Sequence, residues 1–281
     1  MRTLIFSFLL LALACFYACE NRSNLVMCHD PNEATARFAA FGNEKEFRDA
    51  HPAPLPVSVV NEGDMVEFPV AGGSNGRAYL VKARSATNKY LILFHEWWGL
   101  NDYIKSEADL WSHELGVHVI AVDLYDGKVA TTAEEARSLM QACDAARASA
   151  VIEGAGKYAG DAADFRTMGW CFGGGWSLQG ALLLKNRVKA CVMYYGMPET
   201  DVEKLKTLST EVVFIHPKQD KWITDEVVSN FETNMKSAGK TLTVHHYDAD
   251  HAFANPSSPR YNEPAAKDAR EVVRAYLMGT L

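Results

Sequence analysis

Residues 165–178 read Phe165-Arg-Thr-Met-Gly-Trp-Cys171-Phe-Gly-Gly-Gly-Trp-Ser-Leu178: an apolar strand, a glycine-flanked turn and the start of a helix. Cys171 stands in the nucleophile position of a Gly-x-nucleophile-x-Gly turn, where the backbone is strained. The flanking glycines are needed because a side chain there would collide with the neighbouring strand or helix. The helix directs its N-terminal N–H groups at the cysteine, where they favour a thiolate and bind an oxyanion. A buried structural cysteine is the competing interpretation.

Apolar runs alternate with amphipathic segments on both sides of this turn, which is typical of a mostly parallel sheet with helices on both faces. Short runs between turn residues predict antiparallel edge strands at Val57–Val60, Met65–Val70 and Gly76–Ala83. Further strands are predicted at Tyr90–His95, His118–Leu124, Phe165–Trp170, Val188–Tyr195, Glu211–His216 and Leu242–Tyr247. Helical periodicity predicts helices at Ile104–Leu115, Thr132–Ala148, Trp176–Lys185, Asp225–Ala238 and Ala265–Met278.

Two later loops carry an acid and a base. Val212-Val-Phe-Ile-His-Pro-Lys-Gln-Asp220 is a buried strand followed by a loop, and the loop after the next strand ends in His251. The order nucleophile, acid, base is typical of an α/β-hydrolase. We therefore predict that His251 carries protons and that Asp220 orients it. Asp248 and Asp250 are rivals by residue type, but they share the loop of the histidine, whereas the acid should follow a separate strand.

A third loop, at the end of Tyr90-Leu-Ile-Leu-Phe-His-Glu96-Trp-Trp-Gly-Leu-Asn101, lies where such enzymes place their second oxyanion donor. Its His-Glu-x-x-Gly-x-Asn motif, the Gly-x-Cys-x-Gly-Gly turn and the later Asp and His together resemble the dienelactone hydrolase family. The resemblance runs from about Met65 to Leu277. It implies an α/β-hydrolase fold and hydrolysis of a carboxylic ester or lactone, with no cofactor and no metal.

The resemblance also implies roles for individual residues. The implied catalytic triad is Cys171, Asp220 and His251. Glu96 would be paired with the thiol, which rests protonated until substrate binding lets the carboxylate accept its proton. The backbone N–H groups of Trp97 and Phe172 would hold the oxyanion of the intermediate. Hydrolysis would pass through a thioester that water, activated by the histidine, then cleaves. Glu96 could instead be an ordinary salt-bridge residue.

The sequence departs from the family at the substrate carboxylate site. Dienelactone hydrolases continue the histidine loop as His-x-Phe-Ala-Arg, whereas this chain reads His251-Ala-Phe-Ala-Asn255. A second arginine has no clear counterpart, although Arg137 is nearby. Losing a bidentate guanidinium weakens carboxylate recognition, which argues against the dienelactone itself as substrate. Aromatic residues on the rim loops predict an apolar acyl or aromatic-ester pocket, with core packing as the alternative for each of Trp98, Tyr125, Trp222 and Phe253.

The N-terminus predicts export. A short basic start and an apolar stretch too brief to span a bilayer predict a signal peptide over residues 1–19. Its end resembles a lipoprotein signal, with Cys19 as the first choice for lipidation and membrane tethering, Cys15 as the second, and simple cleavage as the alternative. Residues 20–56 are polar and proline-rich and are predicted to be a tether, which leaves 57–281 as the folded domain. The expected location is periplasmic or extracellular.

Composition narrows the range of partners. The net charge of −7, without a block of Lys or Arg, argues against nucleic acid and leaves a small-molecule substrate. The cysteine spacing shows neither a disulfide framework nor a zinc motif, and a monomer is expected. Two other functions stay open: a non-catalytic binding protein that keeps the fold, and thiol redox chemistry with Cys143 or Cys191 as the resolving thiol.

Overall fold

Apolar runs rich in Val, Ile, Leu and Phe form the central sheet of the protein. The computed structural model describes residues 33–57 and 61–281. The predicted signal peptide and most of the predicted strand Val57–Val60 lie outside these residues. The strands within them are β1 (Asp64–Phe68), β2 (Gly76–Val81), β3 (Lys89–Phe94), β4 (His118–Val122), β5 (Asp164–Trp170), β6 (Val188–Tyr194), β7 (Val212–Pro217) and β8 (Leu242–Tyr247).

The strand order is β1-β2-β4-β3-β5-β6-β7-β8. Pairing is antiparallel for β1 with β2 and for β2 with β4, and parallel from β4 to β8. The predicted antiparallel edge is thus confirmed. Parallel strands place their carboxyl ends at one edge of the sheet, so the loops after β3, β5, β7 and β8 meet there.

The described residues also form nine α-helices, and every predicted helix except Thr132–Ala148 begins and ends within four residues of its expected bounds. The helices are α1 (Ala34–Phe41), α2 (Lys45–Ala50), α3 (Asp102–Leu115), α4 (Ala133–Ala142), α5 (Ala145–Tyr158), α6 (Phe172–Leu184), α7 (Val202–Leu205), α8 (Asp225–Ser237) and α9 (Glu263–Met278). Helix α3 packs on β2, β3 and β4 and contacts α9. Helix α5 packs on β2 and β4 and contacts α6. Helices therefore cover both faces, as expected. None of the helices in 33–57 and 61–281 is long and apolar enough to cross a bilayer.

One predicted helix, Thr132–Ala148, is wrong in its bounds. The chain leaves α4 at Cys143, whose backbone is extended, and starts α5 at the next residue but one. The Asp144 side chain accepts a hydrogen bond from the Arg147 N–H, which caps the new helix and makes the break favourable. The amphipathic periodicity continues through Cys143 and Asp144, so the sequence pattern carried no signal of this boundary.

The prediction of a polar tether over 20–56 is also wrong for the residues that form helices α1 and α2. Helices α1 and α2 pack on the domain and bury Phe38 and Phe47, which are 1% and 0% exposed. Helix α1 contacts α6 and α4, while α2 contacts α4. The few apolar residues of this polar stretch are spaced to face the domain, which supplies the rest of the hydrophobic environment.

Candidate active site

The turn between β5 and α6 holds Cys171 in a strained backbone conformation, with φ 57° and ψ −122°. A Cβ built on Gly169 would lie 2.1 Å from the carbonyl oxygen of Gly173. A Cβ built on Gly173 would lie 2.2 Å from the carbonyl oxygen of Phe94. Only glycine fits at either position, because both obstacles are backbone atoms. The turn therefore fixes the thiol at the carboxyl edge of the sheet.

Asp220 and His251 come together from the loops after β7 and β8. The His251 Nδ1 lies 2.6 Å from Asp220 Oδ2, and both side chains are fully buried. The other carboxylate oxygen of Asp220 accepts hydrogen bonds from the backbone N–H groups of Trp222 and Ile223, at 2.9 and 3.0 Å. Burial alone would raise the pKa of Asp220, but His251 and these hydrogen bonds lower it below its usual value. The aspartate thus stays ionised and orients the imidazole.

The rival carboxylates make other contacts. Asp248 accepts a hydrogen bond from Gln219, at 2.8 Å. Asp250 accepts one from the backbone N–H of His251 itself, at 2.7 Å, and pairs with Arg260. The carboxylate that contacts His251 is therefore that of Asp220, which follows a separate strand, as the order of the motifs predicted.

The Cys171 thiol lies against the two backbone N–H groups that the sequence named as oxyanion donors, those of Phe172 and Trp97. Burial and then the Glu96 carboxylate raise the pKa of Cys171 well above its usual value, although the two N–H groups act in the opposite direction. The resting side chain is consequently a neutral thiol. One nitrogen of His251 and the Cys171 sulfur lie within 4.8 Å of each other.

Glu96 is 3% exposed and lines the same cavity as Cys171. Burial raises its pKa to about 7, against the opposing effects of a hydrogen bond from Asn255 and the charge of Arg260. The Nδ2 group of Asn255 donates to Glu96 Oε2, while its Oδ1 accepts from the backbone N–H and hydroxyl of Ser257. Asn255 therefore holds the glutamate in place. The carboxylate is poised to exchange a proton near neutral pH.

His95 fixes the loop that carries Glu96. Its Nδ1 lies 2.6 Å from the carbonyl oxygen of Glu96, and its Nε2 accepts from the backbone N–H of Leu124 at 3.1 Å. Burial lowers the pKa of His95, which keeps the ring neutral and suited to one donor and one acceptor contact. The loops after β3 and β4 are thereby joined behind the site.

The predicted aromatic pocket is only partly present. A cavity of about 20 Å³, room for about one water molecule, lies beside Cys171. Trp98 lines it, but Tyr125, Trp222 and Phe253 do not. Tyr125 packs on His95 and Phe172, Phe253 packs on Tyr195 and Tyr247, and Trp222 packs on Phe47 and His251. These three side chains are part of the buried aromatic core that supports the site.

His51, at the end of α2, is a site residue that the sequence reading missed. It lines the cavity beside Cys171, and its ring centroid lies 5.2 Å from that of His251 and 5.1 Å from that of Trp97. Burial, then the charges of His251 and Arg260, lower its pKa well below the usual value, so the ring is neutral. The aromatic residues Phe38, Phe41 and Phe47 just before it were the available signal that the segment folds.

Comparisons with known proteins identify the family of the chain. The family model described as "Dienelactone hydrolase family" matches residues 77–280. Protein Usf of Aquifex pyrophilus is 26% identical over 231 residues, which cover 76% of this chain and 97% of the relative. Carboxymethylenebutenolidase 1 of Cupriavidus pinatubonensis is 24% identical over 216 residues, which cover 72% of this chain and 91% of the relative.

A solved structure shows the same fold. A dienelactone hydrolase-like promiscuous phosphotriesterase from metagenomic libraries superposes with a TM-score of 0.67 at 20% sequence identity, over 78% of this chain and 98% of that one. The likeness of the folds accords with the family match, which spans almost the whole sheet. The chain accordingly belongs to the dienelactone hydrolase family and is an ester or lactone hydrolase.

Proposed function

We propose that the protein cleaves a carboxylic ester or lactone by attack of the Cys171 thiol, through a thioester intermediate. One observation carries the proposal: the strained turn holds a neutral thiol beside two backbone N–H groups and within reach of an oriented imidazole. These are a nucleophile, an oxyanion site and a base, which are the groups that acyl transfer needs.

Activation of the thiol falls to Glu96. The carboxylate is buried in the cavity with Cys171, and its pKa of about 7 lets it gain or lose a proton near neutral pH. An incoming carbonyl places developing negative charge at the N–H groups of Trp97 and Phe172, so the sulfur leaves them and passes its proton to Glu96. The thiolate forms only when an acyl group is ready to receive it.

The first half-reaction forms the thioester. The Cys171 sulfur bonds to the carbonyl carbon, and the resulting oxyanion is held by the two backbone N–H groups. Collapse breaks the bond from this carbon to the ester oxygen. The departing oxygen takes the proton that Glu96 received from the thiol. The products of this half are an acyl-cysteine and an alcohol, or a single ring-opened chain if the substrate is a lactone.

The second half-reaction releases the acid. His251 accepts a proton from water as the water oxygen attacks the thioester carbon, and Asp220 stabilises the imidazolium. Collapse breaks the carbon–sulfur bond, and the imidazolium returns its proton to the sulfur. The net change is addition of one water across the ester bond, and the free thiol is regenerated.

Substrates without a carboxylate fit this site best. The residue after His251-Ala-Phe-Ala is Asn255, whose amide hydrogen-bonds with Glu96 and Ser257. It offers no guanidinium to a substrate anion. We therefore propose a neutral ester or lactone, in contrast to the acidic lactone implied by the name of the Cupriavidus relative.

A reporter-ester assay tests the nucleophile. Cys171→Ala should lose at least about 1,000-fold in kcat/KM, as removal of a covalent catalyst does, while the matched control Cys143→Ser should retain it. Acid quenching during turnover, followed by peptide mass spectrometry, should find the acyl group on Cys171. Equal turnover by wild type and Cys171→Ala would reject the mechanism.

We also propose that the protein is exported and tethered through lipidated Cys19. The support is the basic start and brief apolar stretch of residues 1–19, with a cysteine following a small residue. Intact-mass measurement of the membrane fraction tests this proposal. A mature protein without added lipid would reject the tether, and an uncleaved N-terminus in the cytosol would reject export.

A further inference from the structure

Three metal-ligating side chains meet where α2 covers the catalytic turn. The Cys171 sulfur, one imidazole nitrogen of His51 and one of His251 all lie within 4.8 Å of one another. All three residues are buried, at 1%, 6% and 0% exposed. The proposed hydrolysis uses Cys171 and His251 and assigns no task to His51.

Both histidines have the same arrangement of ring nitrogens: Nδ1 faces a hydrogen-bond acceptor, and Nε2 is buried without a partner in the part of the chain that the structure describes. The Nδ1 of His251 is taken by Asp220, and the Nδ1 of His51 lies 2.6 Å from the carbonyl oxygen of Phe47. Since a carbonyl oxygen and an ionised carboxylate are acceptors, each Nδ1 carries the proton and each Nε2 is an acceptor. Neither Nε2 has a hydrogen-bond partner among the described residues. The thiol can donate to only one of them.

We propose that His51, Cys171 and His251 form a binding site for a thiophilic transition-metal cation such as Zn²⁺, which blocks the nucleophile reversibly. Two neutral imidazoles and a thiolate are the donors that Zn²⁺ prefers, whereas Mg²⁺ and Ca²⁺ prefer oxygen. The two Nδ1 contacts are those that metal-binding histidines make, to a carboxylate and to a backbone carbonyl. The geometry therefore includes the supporting contacts as well as the ligands.

Binding requires a small inward movement of the ligands. Zn–N bonds of about 2.0–2.1 Å and a Zn–S bond of about 2.3 Å place the ligand atoms of a tetrahedral site about 3.3–3.6 Å apart. In this proposal the Cys171 sulfur moves from the two backbone N–H groups toward the imidazoles by rotation about χ1. The cavity of about 20 Å³ leaves room for one water molecule as the fourth ligand.

Ligation also balances charge. The thiol gives up its proton to solvent as the sulfur–metal bond forms, so the thiolate offsets one charge of the divalent cation. The Asp220 carboxylate behind His251 offsets the other. No electron is transferred. Because the metal occupies both the nucleophile and the base, the metal-bound protein cannot hydrolyse an ester, and chelation restores it.

A second group of potential ligands supplies the control. His216, Asp225 and His246 also lie within 4.8 Å of one another, with the latter two exposed. The Nδ1 atoms of the two histidines lie 3.0 Å apart in a hydrogen bond, and the Nε2 of His216 lies 2.8 Å from the carbonyl oxygen of Ile223. Three of its four histidine nitrogens thus already have partners. His246→Gln removes this group without touching the proposed site.

The test is titration of the whole chain with Zn²⁺ against a chromophoric chelator, repeated with Co²⁺ to record its spectrum. Wild type and His246→Gln should bind one cation, and Co²⁺ should give a thiolate charge-transfer band and tetrahedral ligand-field bands. His51→Gln should weaken binding by more than the roughly 10–100-fold cost of losing a supporting contact. Cys171→Ala should abolish the charge-transfer band, whereas Cys143→Ser should keep it.

Three results would overturn the proposal: no stoichiometric cation, binding lost in His246→Gln but kept in His51→Gln, or a Co²⁺ spectrum without thiolate ligation. Circular dichroism checks that His51→Gln folds, and the spectrum of Cys171→Ala tests the site independently of that variant. Hydrolysis is assayed separately in chelator. Failure of the metal proposal therefore does not affect the hydrolytic mechanism, and failure of that mechanism does not affect the metal proposal.

Discussion

At the scale of a single residue, Glu96 affects the protonation of the Cys171 thiol. Its carboxylate shares a cavity with Cys171 and makes thiolate formation less favourable. Asn255 holds it by a hydrogen bond, and burial raises its pKa to about 7. In the proposed mechanism, the same group therefore disfavours the thiolate before substrate binds and accepts the thiol proton afterwards.

Glu96→Gln should therefore separate thiol reactivity from catalysis. Removing the negative charge lowers the pKa of Cys171, so alkylation at pH 7 should become about 10-fold faster. Ester hydrolysis should fall, because the amide cannot accept the thiol proton. Rates of iodoacetamide labelling, in a Cys143→Ser background, measure the first effect. Slower labelling in the variant would contradict this electrostatic role.

The raised pKa of Glu96 also predicts a stability effect. A carboxyl whose pKa rises from 4.5 in the unfolded chain to about 7 in the fold binds more protons when folded, so its contribution to stability falls as pH rises through that window. Glu96→Gln does not titrate and should be more stable than wild type at pH 8, by up to about 3 kcal/mol. Urea unfolding at pH 5 and pH 8 checks this. A difference in unfolding free energy between the variant and wild type that does not grow from pH 5 to pH 8 would rule the effect out.

At the scale of the element, the β5–α6 turn depends on close approach of backbone to backbone. Gly173→Ala would place its Cβ 2.2 Å from the Phe94 carbonyl oxygen, whereas Gly175→Ala on the same helix places it 3.1 Å from that of Met197. We expect Gly173→Ala to cost at least about 2 kcal/mol and most of the activity, and Gly175→Ala to cost less than about 1 kcal/mol. Chemical denaturation of both variants measures the difference; equal losses would show that the turn tolerates a shift.

Most of the sheet and its helices could be predicted because each element carries its own apolar pattern. The pairing of Asp220 with His251 followed from the order of motifs, which reflects how parallel strands align their carboxyl ends. Helices α1 and α2 could not be predicted in this way. Their buried residues, such as Phe38 and Phe47, are few, and the surface that makes them helical is supplied by distant parts of the chain. His51 was missed for the same reason.

At the scale of the whole molecule, the N-terminal segment closes the site. His51, Pro52 and Pro54 line the cavity beside Cys171, and its volume of about 20 Å³ is far below the several hundred Å³ of an ordinary ligand pocket. Phe38 and Phe47 pack on His251 and Trp97 from the same side. A cavity of this size is too small for an acyl group, so we predict that residues 34–54 move when substrate binds.

Trapping an acyl group on Cys171 should therefore loosen α1 and α2. Hydrogen exchange measured by mass spectrometry should rise over 34–51 in the acylated protein, because displaced helices lose packing and open more often. Peptides from α9, which packs on α3, serve as the internal reference and should stay unchanged. If exchange over 34–51 is unaltered by acylation, the acyl group enters by another route.

A protonated, covered sulfur also has a chemical advantage. Peroxide oxidises thiolates and leaves neutral thiols largely alone, and the first product, a sulfenic acid, leads on to irreversible acids. Burial and the Glu96 carboxylate raise the pKa of Cys171, which favours its neutral form. If Cys171 is the nucleophile, as proposed, the arrangement that delays thiolate formation should also protect it from inactivation by oxidation.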